Sequence, residues 1–370
     1  MDGMNRSEKL DDARRAADCL RLLSRLLLVS DAHQESNLSA QIAARYGRED
    51  LGQVWALANS HHVIMRTFPG LHRLTTAAGN SRPDWVASAL RTERSRIHNA
   101  LGFLVPICEA LEDFGEVIVI KSLDHWPDLG SDLDLYTTAK SEDVVSVMCE
   151  RFQARVAERS WGDRLANKWN FIVPGLPELV EVHVNRLGQT GEQVAITDGL
   201  VAHSRRTQFG SRTFRVPSPE DRVIISTLQR MYRHFYVRLC DVANMARLVD
   251  SDAMDYAYLE SVTRPAGLWD GLASYLVLLG DYIEQYRENG LALPACVRES
   301  AGFSNVELRL RQRFLRIPIF PQAANLYAKE WTKLLFTGEL QNTLRLSLLP
   351  GLAVAAVLAL KMTGSDKGIW

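Results

Sequence analysis

The sequence predicts an α+β protein, in which a small mixed β-sheet is framed by a helical N-terminal region and a C-terminal helical bundle. Three observations predict it. Apolar residues recur at helical spacing from residue 8 to about 104, short β-branched runs cluster between 117 and 184, and helical periodicity resumes after Ser218. At about 150 residues per domain, 370 residues suggest two or three folding units. The changes of pattern set their limits at 1–112, 113–217 and 218–370.

In the first unit, Leu20, Leu23, Leu26 and Leu27 recur on one helix face. Residues 83–104 read as a long helix with Pro83 and Asp84 in its first turn, where a fixed φ and a negative charge are both favourable. His61 and His62 are adjacent, whereas two ligands on one helix face stand at i, i+4, so the pair is expected to pack or cap.

The second unit opens with residues 117–120, a buried-strand run that ends at Lys121. After a turn containing Pro127 and Gly130 comes a second strand at 133–137. Residues 142–157 are expected to form a helix that packs behind the strands through Val144, Val145, Val147, Met148 and Phe152. Two further runs, 169–173 and 179–184, flank Pro174-Gly175-Leu176-Pro177 and predict a hairpin.

In the third unit, Ser218-Pro219-Glu220-Asp221 is a helix opening, with a serine cap, proline at the first position and acids in the first turn. Helices are then expected around 223–228, 237–248, 268–286, 306–315 and 352–360, with breaks near Pro265, Pro294 and residues 318–321. The uncharged stretch 346–360 is shorter than the roughly 20 apolar residues that span a bilayer, so a buried helix is expected, a membrane-associating tail being the other reading.

Composition narrows the functional classes. Hydrophobic residues make up 46% and charged residues 24%, the balance of an ordinary globular chain. Lys and Arg total 43 against 44 for Asp and Glu, so no long nucleic-acid duplex is expected as partner. Arg205, Arg206, Arg212 and Arg215 form a local basic cluster that suits a triphosphate, a polynucleotide end or simply solvent. The five cysteines are scattered, with no C-x-x-C spacing, which points to a reducing cytoplasm and away from a disulfide framework or zinc knuckle. No signal-peptide pattern precedes the first helix.

The chemistry concentrates in residues 121–135. On an extended strand, residues two apart share a face, so Asp132 and Asp134 present their carboxylates side by side. Like charges at that spacing repel, and a hard divalent cation such as Mg²⁺ resolves the conflict with oxygen ligands, water and phosphates. Gly130 and Ser131, just before, allow close backbone approach to an anion and supply donors.

An apolar strand, a small-residue turn and Asp-x-Asp within a second apolar strand together resemble the signature of the polymerase-beta-like nucleotidyltransferases. Within that superfamily the pattern is most similar to uncharacterised bacterial nucleotidyltransferases, with Ser122 standing where those have glycine. The resemblance covers roughly residues 115–250. It implies a third carboxylate on a later strand, matched by Glu181, which shares a face with His183. It implies Mg²⁺ or Mn²⁺ held by Asp132, Asp134 and Glu181, with Glu181 alternatively acting as general base, and a nucleoside triphosphate as co-substrate. Ser122, Gly130 and Ser131 are the expected phosphate contacts, with Lys121, Lys168 or Arg238 neutralising phosphate charge. His234, Arg238 and Asp241 are expected on one following helix.

Each of these side chains also has a plainer reading: turn formers at Gly130 and Ser131, solvated lysines at Lys121 and Lys168, structural histidines at His183 and His234, an intrahelical ion pair between Arg238 and Asp241. The function expected is transfer of a nucleoside monophosphate to an unidentified hydroxyl-bearing acceptor, a small molecule or protein in preference to a long nucleic acid. The alternative is a catalytically silent, antitoxin-like binding module on the same fold.

Overall fold

A computed structural model of the chain describes residues 6–28, 48–77, 84–251, 254–287, 289–302, 308–311, 313–317 and 322–363. Pro83 and the expected break at 318–321 lie outside these residues. The chain begins with helices α1 (Arg6–Leu28), α2 (Arg48–Ser60), α3 (Ile64–Ala77) and α4 (Asp84–Glu112). Helix α4 continues past the expected end near 104, carrying Pro106 inside it. His61 caps rather than ligates: its Nδ1 accepts the Leu239 amide at 2.9 Å, and its Nε2 lies 2.7 Å from the Arg313 carbonyl oxygen.

Next come β1 (Val117–Val119), a 3₁₀ turn (Ser122–His125), β2 (Asp132–Thr137), α5 (Ser141–Phe152), β3 (Arg155–Val156), α6 (Trp161–Leu165), β4 (Lys168–Ile172) and β5 (Leu179–Val184). The helix expected through 157 stops at Phe152. Gln153 takes the left-handed conformation at φ 53°, and Arg155–Val156 turn back as an edge strand against β4. The strands order β1-β2-β5-β4-β3, antiparallel throughout except for the parallel pair β2–β5.

Helix α7 (Ala195–His203) leads to the hairpin β6 (Arg205–Phe209) and β7 (Arg212–Val216), then to α8 (Pro219–Thr227), whose Ser218 cap accepts the Asp221 amide at 3.1 Å. A π-helical turn (Leu228–His234), β8 (Tyr236–Val237), α9 (Leu239–Asp250), α10 (Tyr256–Thr263), α11 (Trp269–Glu284) and α12 (Ala295–Ser300) follow. The last elements are β9 (Arg309–Arg311), β10 (Phe314–Arg316), α13 (Gln322–Phe336), α14 (Leu340–Ser347) and α15 (Leu349–Thr363).

Two readings of this region are corrected. The helix expected at 306–315 is a β9–β10 hairpin in its described part, because Leu310 and Leu315 pair in register and turn inward between arginines, an alternation of two rather than a helical period. The stretch 346–360 is helical but, apart from buried Leu346, largely exposed where its side chains are described: Leu348 is 49% exposed, Val354 61% and Leu358 53%. Among the described residues, no helix is long and apolar enough to cross a membrane.

The buried apolar residues form two clusters, and the five-stranded sheet divides them. Val117, Val119, Leu133, Leu135, Val180 and Val182 pack with α4 and α5 on one face. Ile118, Ile120 and Tyr136, on the other face, join a core shared by α1–α3 and the helices after Ser218. Helices from both ends of the chain therefore bury one common surface. The alternation that sends the valines to one core turns the acidic residues of β2 and β5 to the opposite face.

Candidate active site

Parallel pairing of β2 with β5 sets Asp134 in register with Glu181, and Tyr136 with His183. Asp132 precedes Asp134 by two residues on the same face. Antiparallel pairing of β4 with β5 adds Lys168, opposite His183, and Asn170, opposite Glu181. Ligand atoms of Asp134, Glu181 and His183 all lie within 4.8 Å of one another. Asp132 is outside that closest group: its Oδ2 accepts the Ser131 hydroxyl at 3.0 Å.

The chain leaves β1 through a γ-turn. Lys121 has φ 61° and ψ −53°, and the Ser122 amide returns to the Ile120 carbonyl at 2.6 Å. Positive φ is uncommon for a residue with a side chain. The turn directs Lys121 Nζ onto Asp134 Oδ1, forming an ion pair with both side chains nearly enclosed. Ser122 is buried, and its hydroxyl accepts the Asp134 amide at 2.7 Å and donates to the Asp132 carbonyl at 3.2 Å. The serine expected to meet a phosphate thus clamps the backbone of the strand that carries both aspartates.

Burial pushes the Asp134 carboxyl up to about 6, against the pull of Lys121 and with a further push from Glu181. Asp132 is raised for the same reasons, burial first and Glu181 second. Burial also acts on Glu181, but Lys168 and Lys121 outweigh it and hold this carboxyl below its usual value. Lys168 is itself buried, 2.8 Å from Asp163 and 3.2 Å from Glu181, so it serves carboxylates rather than lining the open cleft beside the sheet. Burial, reinforced by Lys121 and Lys168, drives His183 far below its usual range and keeps it neutral. Neither ring nitrogen of this buried imidazole has a hydrogen-bond partner among the described residues.

The open cleft is walled by Ile120, Lys121, His183, Gln189, Gln229 and Arg233. Arg233, from the π-helical turn, is the arginine whose charge reaches Glu181 and His183. Arg238, the residue expected there, lines neither this cleft nor a smaller neighbouring one. The helix expected to bear His234, Arg238 and Asp241 is broken by Phe235 at φ 53° and by β8. Arg238 caps α9, its amide donating to Asp241 at 2.7 Å, while its guanidinium meets His62. The ion pair of Asp241 is made with Arg230, at 2.8 Å.

The loop between Ser122 and Asp132 is held from both sides. Arg96 on α4 donates to the carbonyls of Leu129 and Gly130 at 3.1 and 3.2 Å and pairs with buried Glu178, the residue before β5. A Cβ at Gly130 would sit 3.9 Å from the Asp132 backbone, an ordinary contact, so the position does not require glycine for space. Asp128 accepts the amides of Met65 and Arg66 at 2.6 and 3.1 Å, and the Arg66 guanidinium spans the Asp124 and Trp126 carbonyls at 3.0 Å each.

Sequence reasoning had treated His183 as structural, although its step of two from Glu181 already put it on the acidic face. Arg96 and Arg233 carried no local signal. No protein-family profile, curated protein or solved structure matches the chain.

Proposed function

We propose that the chain is a metal-dependent nucleotidyltransferase of the polymerase-beta-like type, moving a nucleoside monophosphate from a triphosphate to a hydroxyl-bearing acceptor. The observation that carries this reading is the register pairing of Asp134 with Glu181 on neighbouring parallel strands, with Asp132 on the same face, beside an open cleft. Asp134, Glu181 and the unpartnered His183 fit a divalent cation, Mg²⁺ or Mn²⁺, by proximity and by donor chemistry, with Asp132 adjacent. Such a cation would neutralise phosphate charge and lower the pKa of an attacking hydroxyl.

The chain's own residues supply the rest. Lys121 and Arg233 face the cleft as phosphate counter-charges, Ser122 fixes the separation of the two aspartate backbones, and the apolar cleft wall around Ile120 and Leu228 restricts water. Lys121 and Lys168 neutralise the carboxylates, and a metal must displace at least the former from Asp134.

Those same two lysine pairs support the second reading, a catalytically silent binding module whose acidic residues are satisfied by lysine alone. Calorimetry with each ribonucleoside triphosphate and Mg²⁺, on the wild type and an Asp132→Asn, Asp134→Asn double variant, separates them. Metal-dependent binding lost in the variant supports the enzyme. Indifference of both proteins to every triphosphate favours the silent module.

A further inference from the structure

The second, three-stranded sheet follows the π-helical turn that walls the cleft, and none of its strand residues lines that cleft. Its order is β8-β10-β9, with Tyr236 opposite Arg316, Arg316 opposite Arg309, and Phe314 opposite Arg311. Alternation turns Val237, Leu310 and Leu315 inward, where Val237 and Leu315 are fully buried. The outward face then carries Tyr236, Phe314, Arg309, Arg311 and Arg316, and none of the eight residues in the three strands is acidic.

The aromatic rings are organised, not scattered. Tyr236 and Phe314 stack with centroids 4.4 Å apart and planes 25° from parallel, and the His234 ring continues the row 5.4 Å from Tyr236. The Arg316 and Arg238 guanidinium groups lie over the Tyr236 ring at 5.2 and 5.6 Å. Planar rings interleaved with guanidinium planes on a β-sheet surface offer stacking to bases and countercharge to phosphates. The row leads into the cleft, because His234 follows Arg233, which lines it, and feels the charge of Lys121.

We infer that this sheet face binds single-stranded nucleic acid and delivers its terminal hydroxyl to the cleft as the acceptor. The acceptor role rests on the proposed nucleotidyl transfer; the binding does not. Near-zero net charge argues against a long duplex, but a local strip of arginine and aromatic residues suits a flexible single strand whose bases are free to stack. The rings also pack on buried Arg230 and His61, and an acidic polypeptide would use the arginines while offering no planar groups to the exposed side of the row.

The test is fluorescence anisotropy of the full chain with a labelled single-stranded RNA 12-mer, the matching DNA, the duplexes and poly-glutamate. Single strands are expected to bind more tightly than duplex or poly-glutamate, with affinity falling steeply as salt rises. Arg309→Glu with Arg311→Glu, both exposed, is expected to weaken binding by roughly tenfold or more and to reduce the salt slope. Phe314→Leu is expected to weaken it roughly five- to a hundredfold, the loss of a stacking contact, with an unchanged salt slope. The Asp132→Asn, Asp134→Asn variant should still bind the strand, and the arginine variant should still bind triphosphate, so failure at the cleft and failure on the sheet are read separately. Absence of single-strand binding, equal affinity for poly-glutamate, or insensitivity to both the arginine and the Phe314 changes would overturn the inference. Strand binding with no extension by any triphosphate would remove the acceptor role.

Discussion

Lys121 reaches Asp134 from a backbone turned to positive φ, so the ion pair at the centre of the acidic face depends on a γ-turn that few residues with side chains adopt. Glycine would make that turn freely but could not supply the amine. Two substitutions separate the effects. Lys121→Met and Lys121→Gly both lose the ion pair, and both should push Asp134 still higher, because Lys121 opposes the rise caused by burial. Only the glycine variant relaxes the backbone. It is expected to be more stable than the methionine variant by about 1–2 kcal/mol in urea unfolding, the strain less the entropy of glycine. Equal stability of the two would mean that the turn carries no strain.

The loop anchor at Asp128 predicts a pH dependence. Burial pushes its carboxyl up to about 7, against the pull of the Met65 amide and Arg66. An acid raised on folding binds more protons in the native state, so its contribution to stability is largest below the unfolded value and is lost as pH rises through about 7. Asp128→Asn cannot ionise and should remove that slope. The wild-type minus variant difference in unfolding free energy should fall by on the order of 2–4 kcal/mol between pH 4 and pH 7. A difference that stays flat over this range would show that Asp128 titrates normally.

How much of this was legible in the sequence varied with the range of the interaction. Strands β1, β2, β4 and β5 and the Ser218 cap were read from local signals, alternation and a capping serine, which act within a few residues, whereas the edge strand β3 was read as the end of a helix. Period two fixed only which face of its own strand Asp134 and Glu181 each take; that the two would meet was implied by the family resemblance, and their shared register across β2 and β5 is a long-range contact that no local signal carries. Arg96 was invisible because its contacts to Gly130 and Glu178 span 34 and 82 residues. The β9–β10 hairpin was misread because a leucine flanked by arginines fits either period over so short a run. The exposed face of α15 was misread because an uncharged Leu/Ala helix looks alike whether covered or bare.

Arg96 predicts a coupled loss. Removing it leaves Glu178 with a buried, uncompensated carboxylate and frees the Leu129 and Gly130 carbonyls. Since Arg96 is partly exposed, Arg96→Ala is expected to cost about 2–3 kcal/mol, below the ~3–5 kcal/mol of a fully enclosed pair. Glu178→Gln in the same chain should recover part of it. Additive costs in a double-mutant cycle by chemical denaturation would mean that the pair is not coupled.

His183 gives the most direct test of a cation at the acidic face. Its imidazole is buried and neutral, and it lies 3.9 Å from Asp134 without a hydrogen bond to either nitrogen among the described residues. An enclosed polar ring in that state costs stability unless something outside the chain meets it. If a divalent cation does, His183→Gln should weaken Mn²⁺ binding by at least the ~10–100-fold that losing even a supporting residue costs, measured by paramagnetic resonance titration. The metal-free variant should melt no lower than the wild type, because no hydrogen bond to the described residues is lost. Glu181→Gln should weaken Mn²⁺ as well, and it also strips Lys168 of one of its two carboxylates, so this variant alone should lose metal-free stability. Unchanged Mn²⁺ affinity in the histidine variant would return His183 to a packing role and leave any cation to the carboxylates alone.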